Sequence, residues 1–391
     1  MDIHDWFKCD WIKKSSLFLA SLALIVSSNL ASAAVDNVRA WGWAHSANTT
    51  LNTPYQAYSG YSRSAGWENI PNHPYRNYYS GDVMVTRKAV GYYSVLFEQM
   101  NATGGVVHVT AYGGNHHCKV QNWYPTVGGQ LVNVRCFNNT GSAANGRFTV
   151  LYYKNTTKGD YYTDGYLWAN NPTAASYTPS STYQSNSGDV LNTVTRLSTG
   201  RYRVNMPTMN ISSGENTGGT VMVTAYGSNS DRCKVRSWYF SGADLNANVD
   251  CYNSAGSLTD SRYTLSFMKR ITIGNQVAED LLQGAYIWAN WSPTPYSYYQ
   301  YSYSGQPIER HDNSTGNYRI EIPGLKANGG STTVSVTAYG GNGNHCSIGY
   351  WGNSWVYGDG TTANVRCYDS NGNPANTLFT LQYITSNIIL Y

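Results

Sequence analysis

One set of residues occurs three times along this chain of 391 residues. Val-Thr-Ala-Tyr-Gly begins at Val109 and again at Val223 and Val336, which are intervals of 114 and 113 residues. Each copy is followed by a Cys, then by a Trp five residues after that Cys, and then by Asn-Val-x-Cys. Solenoid and propeller repeats are only about 20–50 residues long. The longer interval here predicts three units that are each the size of a small domain.

Apolar and polar residues alternate with a period of two inside each repeat, which indicates strands with one buried face. Tyr202, Val204 and Met206, for example, alternate with Arg203 and Asn205. About seven such segments per repeat, separated by Gly, Asn and Ser, favour a β-sandwich or a small Greek-key barrel. Charged residues make up 12% of the chain, and few Lys and Glu argue against long helices. The sequence therefore predicts an all-β protein of three tandem antiparallel β-sandwich or small Greek-key barrel domains, with one disulfide each.

The first 33 residues have the features of a signal peptide. Lys8, Lys13 and Lys14 precede an apolar run at residues 17–26, and Ala-Ser-Ala ends at Ala33. A run of about ten residues is too short to span a bilayer. We predict cleavage after Ala33 and secretion, either into a periplasm or out of the cell, with no membrane span in the mature chain. The three β-domains are expected at residues 35–154, 160–269 and 280–386.

Cleavage at this site removes Cys9 and leaves six cysteines, an even number that suggests disulfides in a secreted chain. Each repeat holds two of them, and the midpoint of each pair falls in a predicted turn. The two cysteines of a pair therefore lie opposite each other across a hairpin, within reach of a disulfide. The predicted bonds are Cys118–Cys136, Cys233–Cys251 and Cys346–Cys367.

The same hairpins suggest a binding face. Continuing each hairpin inward from its disulfide assigns Val and Cys to the core and the recurring Trp to the polar face, beside an Asn. An exposed indole ring can stack on the apolar face of a sugar while amide and guanidinium groups bond its hydroxyls. The predicted ligand-binding residues are Trp123, Asn133, Arg135, Trp238, Asn248, Trp351, Asn364 and Arg366. The alternative is that each Trp folds over the end of its hairpin or packs against the adjacent domain.

Aromatic residues that occur in one repeat only are further candidates, because the shared fold does not require them. The first repeat has an additional segment with Trp67 and Tyr75, predicted to be an exposed binding loop. In the third repeat, three Tyr residues share one face of a predicted strand, where they either bind a ligand or form a partly buried ladder. These are Tyr299, Tyr301 and Tyr303. The Trp that opens each repeat is predicted to be a core or capping aromatic: Trp43, Trp168 and Trp288.

We find no sequence signal for a cofactor, a metal or nucleic acid. His117 and His345 precede a Cys, but Arg232 takes their place in the second repeat, whereas a repeated metal site would need His in all three. No cluster of Lys and Arg follows the signal peptide, so nucleic-acid binding is not expected. Hydrolase motifs are missing and no Glu recurs at equivalent positions, so we expect no enzymatic activity. A secreted hydrolase with a single asymmetric site is an alternative.

The combination of Val-Thr-Ala-Tyr-Gly, Cys-Lys-Val-x-x-Trp and Asn-Val-x-Cys resembles tandem units of uncharacterised secreted bacterial proteins. The resemblance covers nearly all of the mature chain and implies a secreted repeat protein, without implying an activity. We expect a secreted, non-catalytic protein that binds a polysaccharide or a cell-surface glycan through exposed aromatic and Asn faces, with avidity from three weak sites. The alternative is a structural or adhesive surface protein that binds protein partners or itself.

Overall fold

The structure is a computed structural model that describes residues 37–68, 77–154, 163–209, 218–270, 282–292, 295–326 and 331–386. The predicted signal peptide and Tyr75 lie outside these residues. Within them the chain forms 27 strands and three 3₁₀-helices of three residues each. The predicted all-β class is therefore confirmed.

The strands follow the repeats. The first repeat contains β1 (Asn37–Ala44), β2 (Pro54–Gln56), β3 (Arg63–Glu68), β4 (Asn77–Gly81), β5 (Val83–Ala89), β6 (Tyr92–Glu98), β7 (Val106–Tyr112), β8 (His117–Thr126), β9 (Gly129–Phe137) and β10 (Arg147–Lys154). The second contains β11 (Thr163–Ala169), β12 (Ser176–Tyr177), β13 (Gln184–Asn186), β14 (Thr193–Ser198), β15 (Arg201–Met206), β16 (Thr220–Tyr226), β17 (Arg232–Ser241), β18 (Asp244–Tyr252) and β19 (Arg262–Lys269). The third contains β20 (Leu282–Ala289), β21 (Gln300–Ser302), β22 (Glu309–Ser314), β23 (Asn317–Ile322), β24 (Thr332–Tyr339), β25 (His345–Asn353), β26 (Thr361–Tyr368) and β27 (Leu378–Ser386).

One 3₁₀-helix lies early in each repeat, at Ser59–Tyr61, Ser181–Tyr183 and Ser297–Tyr299. None of the helices in the described part of the chain has the length and apolar character needed to cross a membrane.

Three sheets of nine strands are formed, and each sheet contains strands of two repeats. Their orders are β22-β23-β26-β25-β7-β10-β1-β3-β4, β13-β11-β19-β16-β8-β9-β6-β5-β2 and β12-β14-β15-β18-β17-β24-β27-β20-β21. Strands of the same repeat pair antiparallel, as predicted. Where two repeats meet, the pairing is parallel, between β25 and β7, β16 and β8, and β17 and β24. The sheets are therefore mixed and continue from one repeat into the next.

A glycine forms the backbone bond at each of these junctions. The N–H of the Gly in Val-Thr-Ala-Tyr-Gly donates to a carbonyl of another repeat. The three bonds are Gly113 N to Ile348 O (2.7 Å), Gly227 N to Val120 O (2.8 Å) and Gly340 N to Val235 O (2.9 Å). All three glycines have a positive φ, which other residues rarely adopt. The bonds join the first repeat to the third, the second to the first and the third to the second. The contacts thus form a closed cycle around an approximate threefold axis.

Each repeat has its own hydrophobic core, which lies between the parts it contributes to two different sheets. In the first repeat, Val150 of one sheet shares this core with Val85 and Phe97 of the other. This is the packing of a β-sandwich. A fourth core contains residues of all three repeats: Trp41, Val106, Leu151, Tyr153, Tyr166, Met268, Leu282 and Ile384. Apolar burial therefore joins the repeats in addition to their shared sheets.

Side-chain hydrogen bonds also link strands β7, β16 and β24 around the axis. The Thr hydroxyl of each Val-Thr-Ala-Tyr-Gly motif accepts a hydrogen bond from a backbone N–H of another repeat. The bonds are Val109 N to Thr224 Oγ1 (3.3 Å), Val223 N to Thr337 Oγ1 (3.2 Å) and Val336 N to Thr110 Oγ1 (3.1 Å). His108 is completely buried at the same interface, where its Nδ1 lies 3.2 Å from Thr224 Oγ1 and its Nε2 lies 2.8 Å from Ser266 Oγ.

The three predicted disulfides are confirmed, and each joins residues that are directly opposite in a hairpin. The Cα atoms of each pair are 4.0 Å apart. The predicted domain limits at 35–154, 160–269 and 280–386 stay a prediction. The segments that connect the repeats, residues 155–162 and 271–281, lie outside the described part of the chain.

A β-bulge in each hairpin changes the predicted faces. Val120 pairs with Val134 as predicted, but the next pair is Asn122 with Asn133, so Gln121 is an additional residue on its strand. Arg236 and Gly349 are the additional residues in the other two hairpins. A bulge sets two residues against one and so reverses the in–out alternation beyond it. The prediction that the recurring Trp lies on the polar face is therefore wrong.

Candidate binding sites at the repeat junctions

The recurring Trp residues are buried at the junctions between repeats. Trp123, Trp238 and Trp351 expose 5%, 8% and 7% of their surface. Each indole Nε1 donates a hydrogen bond, to Gly104 O at 2.8 Å, Gly218 O at 3.1 Å and Thr332 Oγ1 at 2.9 Å respectively. An indole in this position has no free face on which a ligand from solvent can stack. The alternative reading of these residues, packing against the adjacent repeat, is the one observed.

Each buried Trp belongs to a cluster of four aromatic rings. Trp123 lies 5.9 Å from Trp168, 5.5 Å from Tyr183 and 5.8 Å from Tyr226, measured between ring centroids. The equivalent clusters are Trp238 with Trp288, Tyr299 and Tyr339, and Trp351 with Trp43, Tyr61 and Tyr112. Edge-to-face pairs of this kind contribute roughly 0.5–1.5 kcal/mol each beyond their buried area.

The three rings that join each buried Trp come from a different repeat and are half-buried. Trp43, Trp168 and Trp288 pack in this way against the core of another repeat. Their prediction as core or capping aromatics is confirmed. Burial also raises the pKa of the phenols that end the Val-Thr-Ala-Tyr motifs, so these groups stay neutral. They are Tyr112, Tyr226 and Tyr339.

The predicted Asn residues bond inside the sheet. Asn133 Nδ2 donates to Asn122 Oδ1 at 2.7 Å, and Asn133 Oδ1 accepts from Ser94 Oγ at 2.8 Å. The equivalent bonds are Asn248 Nδ2 to Ser237 Oγ (2.9 Å) and Asn364 Nδ2 to Asn317 Oδ1 (2.6 Å). In the first two repeats the partner lies on the bulged strand. These amides stabilise the hairpins. They lie on the predicted face, opposite the core, because the bulge is on the other strand of each hairpin. That face is not exposed at these positions, since Asn133 and Asn364 are buried and Asn248 is half-buried.

The two predicted Arg residues also contact their own sheet. Arg135 Nε donates to Gln121 Oε1 at 2.6 Å, and the guanidinium carbon lies 4.0 Å from the ring centroid of Tyr92. Arg366 Nε donates to Asn364 Oδ1 at 3.2 Å. Arg366 is exposed and Arg135 is half-buried. Neither lies beside an exposed Trp of its hairpin, so the predicted combination of indole and guanidinium does not form.

The Tyr residues predicted in the third repeat do not share one strand face. Tyr299 ends a 3₁₀-helix and belongs to the cluster of Trp238, whereas Tyr301 lies in β21 and stacks on Tyr286 at 5.7 Å. Tyr303 follows the strand and is exposed. The prediction of one face is wrong because β21 is only three residues long. Trp67 lies in β3, but its side chain, like the whole of Tyr75, is outside the described part.

A groove of about 180 Å³ opens beside the aromatic cluster at the junction of the first and third repeats. Tyr58, Tyr61 and Trp351 provide its aromatic surfaces. Tyr58 is 60% exposed, and its ring centroid lies 5.6 Å from that of Tyr61. The remaining lining residues are Gly60, Thr332, Gly352, Asn353 and Thr361.

Two glycines keep this junction open. Gly352 follows the buried Trp of the third repeat, where the other repeats have Tyr124 and Tyr239. A Cβ added at Gly352 would meet no atom within 4 Å, so the space beside it is empty of protein. Gly60 is the middle residue of its 3₁₀-helix, and its equivalents in the other repeats are Thr182 and Tyr298. A Cβ added at Gly60 would lie 3.0 Å from Cε1 of Tyr58, so a larger side chain there would displace the exposed ring.

The groove suits an uncharged ligand with both apolar and hydroxyl surfaces. Its eight lining residues include no carboxylate, imidazole, amine or guanidinium group. The Tyr58 ring offers an apolar face to solvent, and the amide of Asn353, which is also exposed, can both donate and accept hydrogen bonds. Pockets for drug-sized ligands measure about 300–1,000 Å³. The smaller volume here fits one unit of a chain better than a whole large ligand.

The sequence analysis did not single out Tyr58, Gly352 or Asn353. A signal was present, because Gly352-Asn353 replaces the Tyr-Pro and Tyr-Phe that follow the Trp in the other repeats. The candidates taken from single repeats were additional aromatic residues, whereas the signal here is an aromatic residue replaced by glycine. Among the described residues, no group of three His, Cys, Asp or Glu side chains is placed to hold a metal ion.

Comparison with known proteins gives no relative: no protein-family model, no curated protein and no solved structure matches the chain.

Proposed function

We propose that this is a secreted, non-catalytic protein that binds a neutral glycan, with one sugar unit in the groove between the first and third repeats. The observation that supports this most is the exposed ring of Tyr58 beside an uncharged polar rim in that groove. A pyranose has the matching chemistry, because its C–H face packs on an aromatic ring and its hydroxyls bond amides.

The lining of the groove favours binding over catalysis. General acid–base catalysis needs a titratable side chain within hydrogen-bond reach of the substrate, most often His, Asp, Glu or Lys. None of these residue types lines the groove. A polymer with repeated sugar units would compensate for the small contact area of one groove through avidity if several protein molecules bound to it.

Secretion is part of the proposal and is supported by two observations. Three disulfides join all six cysteines that follow residue 33, and such bonds persist in oxidising compartments. The sequence before this point has the charge, apolar run and small residues of a signal peptide.

The groove can be tested by filling it and by removing its exposed ring. In a glycan array followed by retention on an immobilised neutral polysaccharide, we expect the mature protein to bind. Gly352→Tyr, which copies the other repeats, should abolish retention because the phenol occupies the groove. Tyr58→Ala should weaken it at least about fivefold, the equivalent of roughly 1 kcal/mol of stacking.

Tyr296→Ala is the matched control, because Tyr296 precedes its 3₁₀-helix as Tyr58 does and is 58% exposed. This variant should keep full retention. The melting temperatures of all three variants should remain close to that of the parent protein, since the changed positions are exposed or open. Absence of any glycan binding, or full retention by Gly352→Tyr, would reject the proposal.

An adhesive protein that binds protein partners is the second candidate. It is favoured by a different surface, the exposed aromatics between Trp291 and Tyr303 in the third repeat, which include Tyr296 and Tyr298. Exposed aromatic groups of this kind are common at protein interfaces. Concentration-dependent self-association without sugar, lost on Trp291→Ser, would favour this function over glycan binding.

A further inference from the structure

A cavity lies on the approximate threefold axis, where the three disulfide hairpins come together. It is lined by equivalent residues of all three repeats and has a volume of about 60 Å³. Its cationic and imidazole groups come from the residues before and after the first Cys of each hairpin. Those before the Cys are His117, Arg232 and His345. Those after it are Lys119, Lys234 and Ser347, of which the two lysines line the cavity.

The first of these sets forms a ring across the axis. Arg232 Nη1 donates to His345 Nδ1 at 3.0 Å, and the ring centroids of His117 and His345 are 5.9 Å apart. Each imidazole Nε2 donates to a carbonyl of another repeat, Ser230 O at 2.8 Å and Asn115 O at 3.0 Å. Since the second nitrogen of His345 accepts from Arg232, this imidazole is neutral.

The residues that follow the first Cys make similar hydrogen bonds to the next repeat at each of the three junctions. Lys119 Nζ donates to Asn229 Oδ1 of the second repeat at 2.6 Å, and Lys234 Nζ donates to Asn342 Oδ1 of the third repeat at 2.8 Å. At the remaining junction, Ser347 Oγ donates to Gly114 O at 2.9 Å. The ammonium groups thus have neutral oxygen partners, and the third repeat shows that Ser is tolerated at this position.

The charges at the cavity do not balance. When Lys119 and Lys234 are protonated, they and Arg232 give three positive charges against Asp231, the one carboxylate in the lining, which leaves an excess of two. Asp231 itself accepts a bond from the amide of Asn229. Two further carboxylates lie nearby. Asp250 is paired with Arg236 at 3.2 Å and lies 3.9 Å from Arg201, and Asp369 is a half-buried loop residue near Arg232.

Burial makes this imbalance costly. Lys119 and Lys234 are 1% and 3% exposed. The buried Nε of Arg232 has no hydrogen-bond partner among the described residues. His117 Nδ1 also has none there, but it is an acceptor, because the proton of this neutral ring is on Nε2. Buried charges are normally paired, because leaving water costs several kcal/mol per ion. The site therefore has a donor and charge that no protein group satisfies.

We propose that the axial cavity binds a free tetrahedral oxyanion, phosphate or sulfate. A water needs about 10–15 Å³ of such volume, so the cavity can hold several waters or one small oxyanion in their place. The ammonium and guanidinium groups that line it are donors that bind such anions in proteins. Lys119 comes from the first repeat and Lys234 and Arg232 from the second, so the bound ion links these two repeats directly. The third repeat takes part through His345, which holds Arg232.

The protonation of the lysines provides an independent signature. Burial lowers the pKa of Lys119 and of Lys234 to about 7. A bound anion favours the charged form and raises both pKa values. Binding at pH 8 must therefore take up protons from the buffer, and the affinity must fall as the pH rises above 7.

The experiment titrates the mature protein with sodium sulfate and with sodium phosphate, against sodium chloride at equal ionic strength. Calorimetry at pH 8 in buffers of different ionisation enthalpy should show saturable binding with net proton uptake. Thermal unfolding should show stabilisation that grows with the logarithm of the oxyanion concentration, as expected for a ligand that binds the folded state. Sulfate also stabilises proteins nonspecifically through exclusion from their surface, so a variant is needed as reference.

Lys234→Ser is that variant, because the third repeat already has Ser347 in this place. Losing one charge-assisted hydrogen bond should weaken oxyanion binding by about tenfold or more. Lys88→Ser removes an exposed lysine of β5 and should leave binding unchanged. The proposal is overturned if calorimetry on the parent protein shows no saturable binding, or binding without proton uptake. It is also overturned if Lys234→Ser, folded in chloride, binds as tightly as Lys88→Ser.

Discussion

Replacing Trp238 with alanine is expected to lower the free energy of unfolding by about 3–5 kcal/mol, the usual loss for a buried Trp. The ring lies between the core of the second repeat and three aromatic rings of the third, so its loss leaves a cavity at a junction. The hydrogen bond to Gly218 O is lost as well. Denaturant unfolding of a protein that comprises residues 34–391 measures the change.

Tyr239→Ala is the matched control, since Tyr239 is the next residue and is 43% exposed. We expect it to change the free energy of unfolding by less than about 1 kcal/mol. The two neighbours thus report directly on the bulge, because without it their faces would be exchanged. If Tyr239→Ala lowers the free energy of unfolding strongly and Trp238→Ala lowers it little, the Trp lies on the exposed face and the bulge is contradicted.

Acidification is expected to destabilise the protein strongly, and His108 should account for a defined part of the loss. Burial lowers the pKa of His108 to about 3, from a usual value of 6.5. Between these values the unfolded chain binds a proton that the folded chain does not, so stability present above pH 6.5 is lost as the pH falls. At pH 4.5 the loss from this residue is about 2–3 kcal/mol relative to neutral pH.

His108→Gln keeps hydrogen-bonding capacity toward Thr224 and Ser266 but removes the titration. Urea unfolding at pH 7 and pH 4.5 should therefore show a smaller acid loss in this variant than in the parent. Burial also lowers the pKa of His117 and His345, so part of the acid loss should remain. His311→Gln, at a solvent-accessible imidazole, should behave as the parent does. An unchanged acid loss in His108→Gln would contradict the buried, neutral state of this residue.

The sequence predicted the hairpins and the disulfides well because both depend on local spacing. The turn lies midway between the two cysteines of each repeat, which determines the pairing at Cys118 and Cys136 and at their equivalents. Pairing continues correctly for one further step, to Val120 and Val134. Up to that residue, the alternation of side chains predicts the correct face, because no bulge interrupts the strand.

The binding face was predicted wrongly because a single additional residue reverses every position after it. Gln121, Arg236 and Gly349 share no side-chain property that marks a bulge. The amides of Asn133 and Asn248 bond to residues on the bulged strand, but an Asn in a strand is equally consistent with an exposed polar face. The pattern therefore does not distinguish the two arrangements.

The closure of the three repeats into a cycle could not be predicted from the sequence pattern either. A strand such as β7 has the same alternation whether its edge is covered by another repeat or left free. Whether the edge is covered depends on pairing between residues far apart in the chain, such as Tyr112 and Ile348. The open groove follows from this closure, since Tyr58 and Gly352 belong to different repeats.

The closed cycle is tested most directly by nuclear Overhauser contacts between indole rings in Trp-labelled protein that comprises residues 34–391. The ring centroids of Trp43 and Trp351, in the first and third repeats, are 5.7 Å apart. The equivalent pairs are Trp168 with Trp123 at 5.9 Å and Trp288 with Trp238 at 5.7 Å. We predict cross-peaks for all three pairs, assigned by single Trp→Phe variants. Cross-peaks for the last two pairs without one between Trp43 and Trp351 would show an open chain of repeats and contradict the account.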